Sequence, residues 1–154
     1  MLRSLTSVVL LLVLGCSSSG TREAPDGTIR VTAILRLSGR YSASDVPTSR
    51  GIQLWVDQQQ GAGVKVKLQI EDAGSDGIRA VERLESIWAR SEKPHILLLS
   101  TSSIAMSVAP HVRDKDVLVV ANAGHPDFIE SSNKYTFSTF PDLHDECGLF
   151  VRRL

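Results

Sequence analysis

The densest run of residues able to do chemistry is Ser100-Thr101-Ser102-Ser103. It lies between an apolar run, Ile96 to Leu99, and an amphipathic stretch ending in Ala109-Pro110. A helix cap needs only one such hydroxyl. Four in succession leave two readings open: a cap with spare hydroxyls on a solvated turn, or a loop offering hydroxyls and backbone N–H groups to a ligand. The other candidates are sparser. His95, His111, His125 and His144 are scattered without HExxH spacing, and Cys16 and Cys147 form no CxxC, so no metal site is expected. His95 and His111 read as flanks of helices or strands, and His144, near Asp142 and Asp145, as part of a capped helix start. Glu71-Asp72 could form a carboxylate pair for acid–base work. Adjacent strand residues face opposite ways, however, so the pair reads as a turn Asp beside an exposed Glu. The sequence has no GxGxxG after its first strand, no Walker phosphate loop and no GxSxG elbow. A receiver domain would need acidic residues where Leu37-Ser38 and the hydroxyl run stand. With no nucleophile–base pair in view, the chemistry is that of a binding protein and not an enzyme, and no cofactor is called for.

The elements that position these residues follow from periodicity. Ile96 to Leu99 has no polar alternation and reads as a strand buried on both faces. Ala105, Val108, Ala109 and Val112 recur at helical spacing behind it. The hydroxyl run thus falls at the carboxyl end of a strand and the amino end of a helix, where N–H groups and the helix dipole point outward and where open α/β sheets hold ligands.

Earlier in the chain, Ile29 to Leu37 reads as the first strand, followed by a polar loop, Ser38 to Asp45, that Pro47 closes. Thr48 and Ser49 are candidate caps for a helix through Ile52, Trp55, Val56 and Gln59. Val64 to Glu71 alternates without a break, as expected for a strand at or near a sheet edge. Ile78, Val81, Leu84, Ile87 and Trp88 form the next helical stripe, and Trp55 and Trp88 both read as core. Val117 to Val120 is a further short strand, Asp127 to Ser131 a single helical turn, Tyr135 to Phe140 a last strand and His144 to Leu154 the start of a helix. Strand and helix in regular alternation predict an α/β fold with a parallel, doubly wound sheet. Its strand ends carry small uncharged polar residues.

The amino terminus points to a compartment. Arg3, the apolar run Val8 to Leu14, and Gly15-Cys16 before Ser17 to Gly20 make a secretory signal too short to span a bilayer. The motif Val13-Leu14-Gly15-Cys16 resembles the lipobox of bacterial lipoproteins, whose Cys is acylated. Residues 1–15 are accordingly expected to be a lipoprotein signal peptide, Cys16 the lipidated residue, residues 16–28 a flexible tether and residues 29–154 one domain. The expected location is the bacterial cell envelope, on the periplasmic or extracellular face, held to the membrane by the lipid. The 17 basic and 17 acidic residues of the 154 balance, which gives no reason to expect a nucleic-acid partner.

The order of motifs resembles the branched-chain amino acid (Leu/Ile/Val) type of periplasmic binding protein. IRVTAILRLSGRYSASD resembles that family's first strand and its L-S/T-G-x-Y loop. RGIQLWVDQQQGAG, VKVKLQIEDAGSD, LLSTSSIAMSVAP, VLVVANAGHPDF and YTFSTFPD follow in the family's order. The resemblance implies a flavodoxin-like sheet of order 2-1-3-4-5, the amino-terminal lobe of a type I periplasmic binding protein with the second lobe absent. It also implies that a small polar ligand such as an amino acid is captured for an ABC permease, a task that needs the second lobe. The ligand's carboxylate and amino groups would meet Ser102, Ser103, Ala123, Gly124 and His125, and Tyr41 to Ser44 would cover its side chain. Asn122 to His125 departs from the family's Ala-Thr pair, so that hydroxyl is replaced by His125 or missing, and Ser138 stands where an Arg is usual. The alternative implied by one lobe is an envelope lipoprotein that uses the fold as a protein-interaction module.

Overall fold

The computed structural model describes residues 26–141 and 143–152. The expected signal sequence, Cys16 and nearly all of the tether lie outside the described residues. Five strands, β1 (Ile29–Leu35), β2 (Val66–Asp72), β3 (Ile96–Leu99), β4 (Leu118–Ala121) and β5 (Thr136–Ser138), form one parallel sheet in the order β2-β1-β3-β4-β5. Helices α1 (Ser42–Gly61), α2 (Gly77–Trp88), α3 (Ser102–Val112), α4 (Asp127–Ser131) and α5 (Leu143–Val151) alternate with the strands. The sheet is the one expected, and β2, whose sequence alternates most strictly, is an edge strand as its pattern predicts.

The main core lies on the α2–α3 side. Ile34, Leu97, Leu99, Val119 and Ala121 of the sheet pack there against Leu84 and Ile87 of α2, Ile104, Val108 and Val112 of α3, and Phe128 of α4. Burying each large aliphatic or aromatic side chain contributes ~1.5–3 kcal/mol. The four α3 positions read from helical spacing, Ala105, Val108, Ala109 and Val112, are all buried. Asn133 locks the β4–β5 corner: its amide donates to the carbonyls of Lys115 (3.0 Å) and Val117 (2.9 Å), and its oxygen accepts from the Tyr135 amide (2.9 Å) and the Thr136 hydroxyl (3.0 Å).

The α1 side differs from expectation. It holds a smaller cluster of Val31, Val56 and Val66, with Leu68, Ile96 and Leu98 half-buried against it, so β3 is fully buried on one face only. The register continues that row from Leu98 through Val120 to Phe137, and exposure rises along it to 58% at Phe137, because α1 packs over the β2–β1 end of the sheet. Trp55 is 42% exposed and is not core, since Val56 is the one apolar residue of α1 that is buried; Trp88 packs at the edge of the core. Helix α1 also begins at Ser42, six residues before the expected cap at Thr48, and contains Pro47. Pro47 is the sixth residue of the helix and removes one intrahelical donor, while Asp45 in the first turn answers the positive end of the dipole. The Thr48 and Ser49 hydroxyls donate instead to the carbonyls of Ser44 and Val46 within the helix. Glu71 is half-buried rather than exposed, paired with Arg90 at 3.1 Å and Arg83 at 4.0 Å.

Candidate functional site

Strand order reverses between β1 and β3, and the loops leaving the strands on either side of that point build the crevice in which open α/β sheets hold ligands. Leu99 is in register with Ile34 and with Ala121, and Ala121 with Ser138, so the loops after β1, β3, β4 and β5 emerge side by side. Each is tied to its neighbour. After β1, Arg36 meets Asp45 of α1, whose carboxylate accepts from the Arg36 amide (2.8 Å) and guanidinium (2.9 Å) and from the Ser44 hydroxyl (2.9 Å). Burial of Asp45 pushes its carboxyl up. The Arg36 guanidinium, the Ser100 hydroxyl, the Arg36 amide and the Ser44 hydroxyl outweigh that and hold it at about 2. On the other side of the loop, Asp72 accepts from the amides of Leu37 (2.9 Å), Ser38 (3.2 Å) and Gly74 (2.8 Å). Burial again works against ionisation there, and the Ser38 hydroxyl with these amides keeps the carboxyl below its usual value. Both carboxylates therefore serve as fixed acceptors that shape the loop, and Asp72 is the turn Asp its sequence position suggests.

The hydroxyl run divides its work. Thr101 is extended ahead of α3 (φ −149°, ψ 165°) but makes no side-chain cap, so the first amides of the helix face the crevice side uncapped by a hydroxyl. Ser102 Oγ accepts from the Gly124 amide at 3.1 Å and joins the β3 loop to the β4 loop. Ser103 Oγ contacts Thr101 Oγ1 at 3.2 Å. Ser100, 6% exposed, lies on the Asp45 side, where its hydroxyl helps to hold the Asp45 carboxyl down. The Ser138 hydroxyl donates to the Ala123 carbonyl and closes the row at β5. Among the described residues no group of three or more His, Cys, Asp and Glu side chains is placed to hold a metal.

With this geometry in view, comparison with known proteins is decisive for the family. The sequence pattern of the periplasmic binding protein family matches residues 28–154. The chain belongs to that family. No curated protein matches the chain. Among solved structures, the branched-chain amino acid transporter substrate-binding protein of Streptococcus pneumoniae in complex with isoleucine is 21% identical, with a TM-score of 0.66 over 74% of this chain and 34% of that one. A leucine-binding protein of Thermotoga maritima is 20% identical, with a TM-score of 0.67 over 80% of this chain and 36% of that one. A solute-binding protein of an ABC transporter from R. palustris in complex with 4-hydroxybenzoate is 28% identical, with a TM-score of 0.62 over 74% and 32%. The chain spans about a third of the length of these structures. Its sheet is that of one lobe of a type I periplasmic binding protein.

Within that lobe, the residues singled out from sequence are spread along the row of loops. Tyr41 precedes α1 and is exposed, with the guanidiniums of Arg36 and Arg40 at 5.4 Å and 5.7 Å from its ring centroid. Ser44 lies in the first turn of α1 and is bound into the Arg36–Asp45 pair. Ser102 and Gly124 are brought into contact, while Ser103 is exposed beside them. Ala123 and Gly124 are buried, and a Cβ on Gly124 would sit 3.1 Å from Phe140 and 3.2 Å from the Pro141 carbonyl. His125 is exposed, with its Nδ1 accepting from the Asp127 amide at 3.3 Å. Sequence reading missed Arg36 and Asp45 as partners, and it took Ser100 with the rest of the hydroxyl run without separating its place. Strand parity carries a signal for Ser100, which continues the α1-facing phase of Ile96 and Leu98.

Proposed function

We propose that this chain is a solute-binding lipoprotein whose crevice holds the carboxylate of a small organic ligand at the amino end of α3, for uptake through an ABC importer. Isoleucine, leucine and 4-hydroxybenzoate, the compounds named with the matched structures, have a carboxylate in common. One observation carries the reading: α3 has no side-chain cap, which leaves its first amides free beside the exposed Ser103. A helix amino end with free N–H groups and a neighbouring hydroxyl suits an oxyanion. Ser102, Ser103, Ala123, Gly124 and His125 would hold the head group, and Tyr41 and Ser44 would cover the rest. The anchor in this reading is a lipid on Cys16, which holds the domain at the envelope face of the membrane.

A single wall leaves much of a ligand in water, whereas small-molecule sites bury ~70–90% of it. Binding by these residues alone is therefore expected to be weak, and nuclear magnetic resonance titration suits it better than calorimetry. A panel of amino acids, their amides and benzoates should give saturable shifts at Ser102, Ser103 and Gly124 for the carboxylates and none for the amides. Silence across the panel would overturn binding by this chain alone. Incorporation of labelled fatty acid that is lost on Cys16→Ser tests the anchor.

Exposed Phe137, Phe140, Leu149 and Val151 favour a second reading, an envelope module that docks a protein on its β5–α5 surface. It predicts a cross-linked partner in envelope extracts through that surface and no response to the ligand panel.

A further inference from the structure

At the opposite end of the sheet from the crevice, the amino-terminal parts of β1 and β2 and the chain leaving α2 line a half-open cavity of about 390 Å³. Arg30, Thr32, Lys67, Gln69, Arg90 and Glu92 are among its lining residues. The strands of a parallel fold are ordinarily apolar on their covered faces, and at this end they are not. The register places Arg30 beside Lys67 and Thr32 beside Gln69. Alternation turns all four toward the α2 side, the side on which Ile34 enters the main core. The apolar layer thus stops short of the strand ends, and a block of paired polar side chains takes its place.

The charges around this cavity are unevenly met. Arg30 and Lys67 lie opposite one another on neighbouring strands, where like charges repel, and Arg90 adds a third cation. Glu92, the one carboxylate in the lining, answers Lys67 in a pair whose side chains are 64% and 59% exposed, so it contributes little. Arg90 reaches out to Glu71 at 3.1 Å, and Glu71 also faces Arg83. Arg30 donates from Nε to the Lys93 carbonyl at 2.6 Å, and its Nη2 stands 2.8 Å from His95 Nε2. His95 Nδ1 already accepts the Arg30 amide at 3.1 Å. A neutral imidazole accepts at one nitrogen only, so the Nη2 contact sets donor against donor. Burial and the Arg30 charge both lower the His95 pKa and favour that neutral ring. The guanidinium is therefore short of acceptors at a cavity that offers hydrogen-bonding groups and excess positive charge.

We propose that this cavity is a second binding site, for the carboxylate or phosphate of a small anion, with Arg30, Lys67 and Arg90 as charge partners and Thr32 and Gln69 as its polar floor. It is independent of the crevice. From Arg30 to Arg36 the two sites are about 20 Å apart along β1.

The test is titration of the isotope-labelled full chain with inorganic phosphate, with citrate and with the soluble short-chain lipid dihexanoyl phosphatidylglycerol. Saturable shifts are expected at the amides of residues 30–32 and 67–69, with those of Ser102 and Ser103 unmoved. Affinity should fall tenfold or more in Lys67→Ala and in Arg90→Ala, two surface changes that leave the core intact. Thr32→Val, which keeps every charge, should weaken binding several-fold. A stronger response to the short-chain lipid assigns a lipid headgroup, and a stronger response to phosphate or citrate assigns a free anion. No saturable shift with any probe, or shifts that Lys67→Ala and Arg90→Ala leave unchanged, would overturn the proposal.

Discussion

Asp45 and Arg36 form an ion pair with 2.9 Å between Oδ1 and Nη2, their side chains 4% and 12% exposed, at the point where the strand order of the sheet reverses. A buried carboxylate held this far below its ordinary value links stability to pH. The folded value of about 2 lies below the ordinary value of 3.8, so the stabilisation is complete above about pH 4 and is lost as pH falls through 2. The size is about 2 kcal/mol. Denaturant midpoints measured from pH 6 down to about pH 2 should show this acid limb, and Asp45→Asn should flatten it. Because that change also leaves Arg36 without its partner, it should lower stability at neutral pH by ~3 kcal/mol. An unchanged acid limb in Asp45→Asn would refute the assignment.

Ser102 and Ser103 are neighbours with different structural roles, and the difference separates scaffold from ligand binding. Ser102→Ala leaves the buried Gly124 amide without an acceptor and should cost ~1–2 kcal/mol of stability. Ser103 is exposed, and Ser103→Ala should stay within about 0.5 kcal/mol. If the α3 amino end is the carboxylate site, the shifts produced by carboxylate ligands should weaken in both variants alike. A loss confined to the destabilised Ser102 variant would mean that Ser103 plays no part in the site.

The seating of α3 depends on Gly77 at the start of α2. A Cβ there would stand 2.1 Å from Ser107 Oγ and 3.0 Å from Ser107 Cβ. Rotating the serine relieves the first clash but not the second, so Gly77→Ala should push α2 and α3 apart and cost ~1–3 kcal/mol, read from thermal or denaturant unfolding. Gly51, with open space around its would-be Cβ and a position inside α1, is the control: Gly51→Ala should be neutral or slightly stabilising.

How much could be read from the chain alone differs between elements for physical reasons. The apolar positions of β3 and α3, the alternation of β2 and the recurrence of strand and helix are local patterns, and they carried the fold class and the position of the hydroxyl run at the amino end of α3. The start of α1 lies six residues before the expected cap because Pro47 reads as a breaker, whereas the folded chain begins the helix ahead of it, where Arg36, from outside the helix, pairs with Asp45 of its first turn. Trp55 was misread because helical spacing gives a stripe but not the width of the surface that the stripe meets. Asn133, with four hydrogen bonds to groups on both sides of β4, has no local pattern at all.

The sequence by itself determined that this is an alternating α/β lobe whose strand ends carry hydroxyls and small residues, because side-chain period and residue type are local properties. Only the tertiary structure decided which of those hydroxyls are scaffold and which remain free. Ser102 is bound to Gly124, Ser44 to Asp45, and Ser138 to Ala123, while Ser103 stays exposed beside Thr101. A hydrogen bond between residues far apart in the chain depends on strand order and register, which bring the β3 and β4 loops together. The polar cavity beside the chain leaving α2 arises the same way, from the pairing of Arg30 with Lys67 and of Thr32 with Gln69 across two strands.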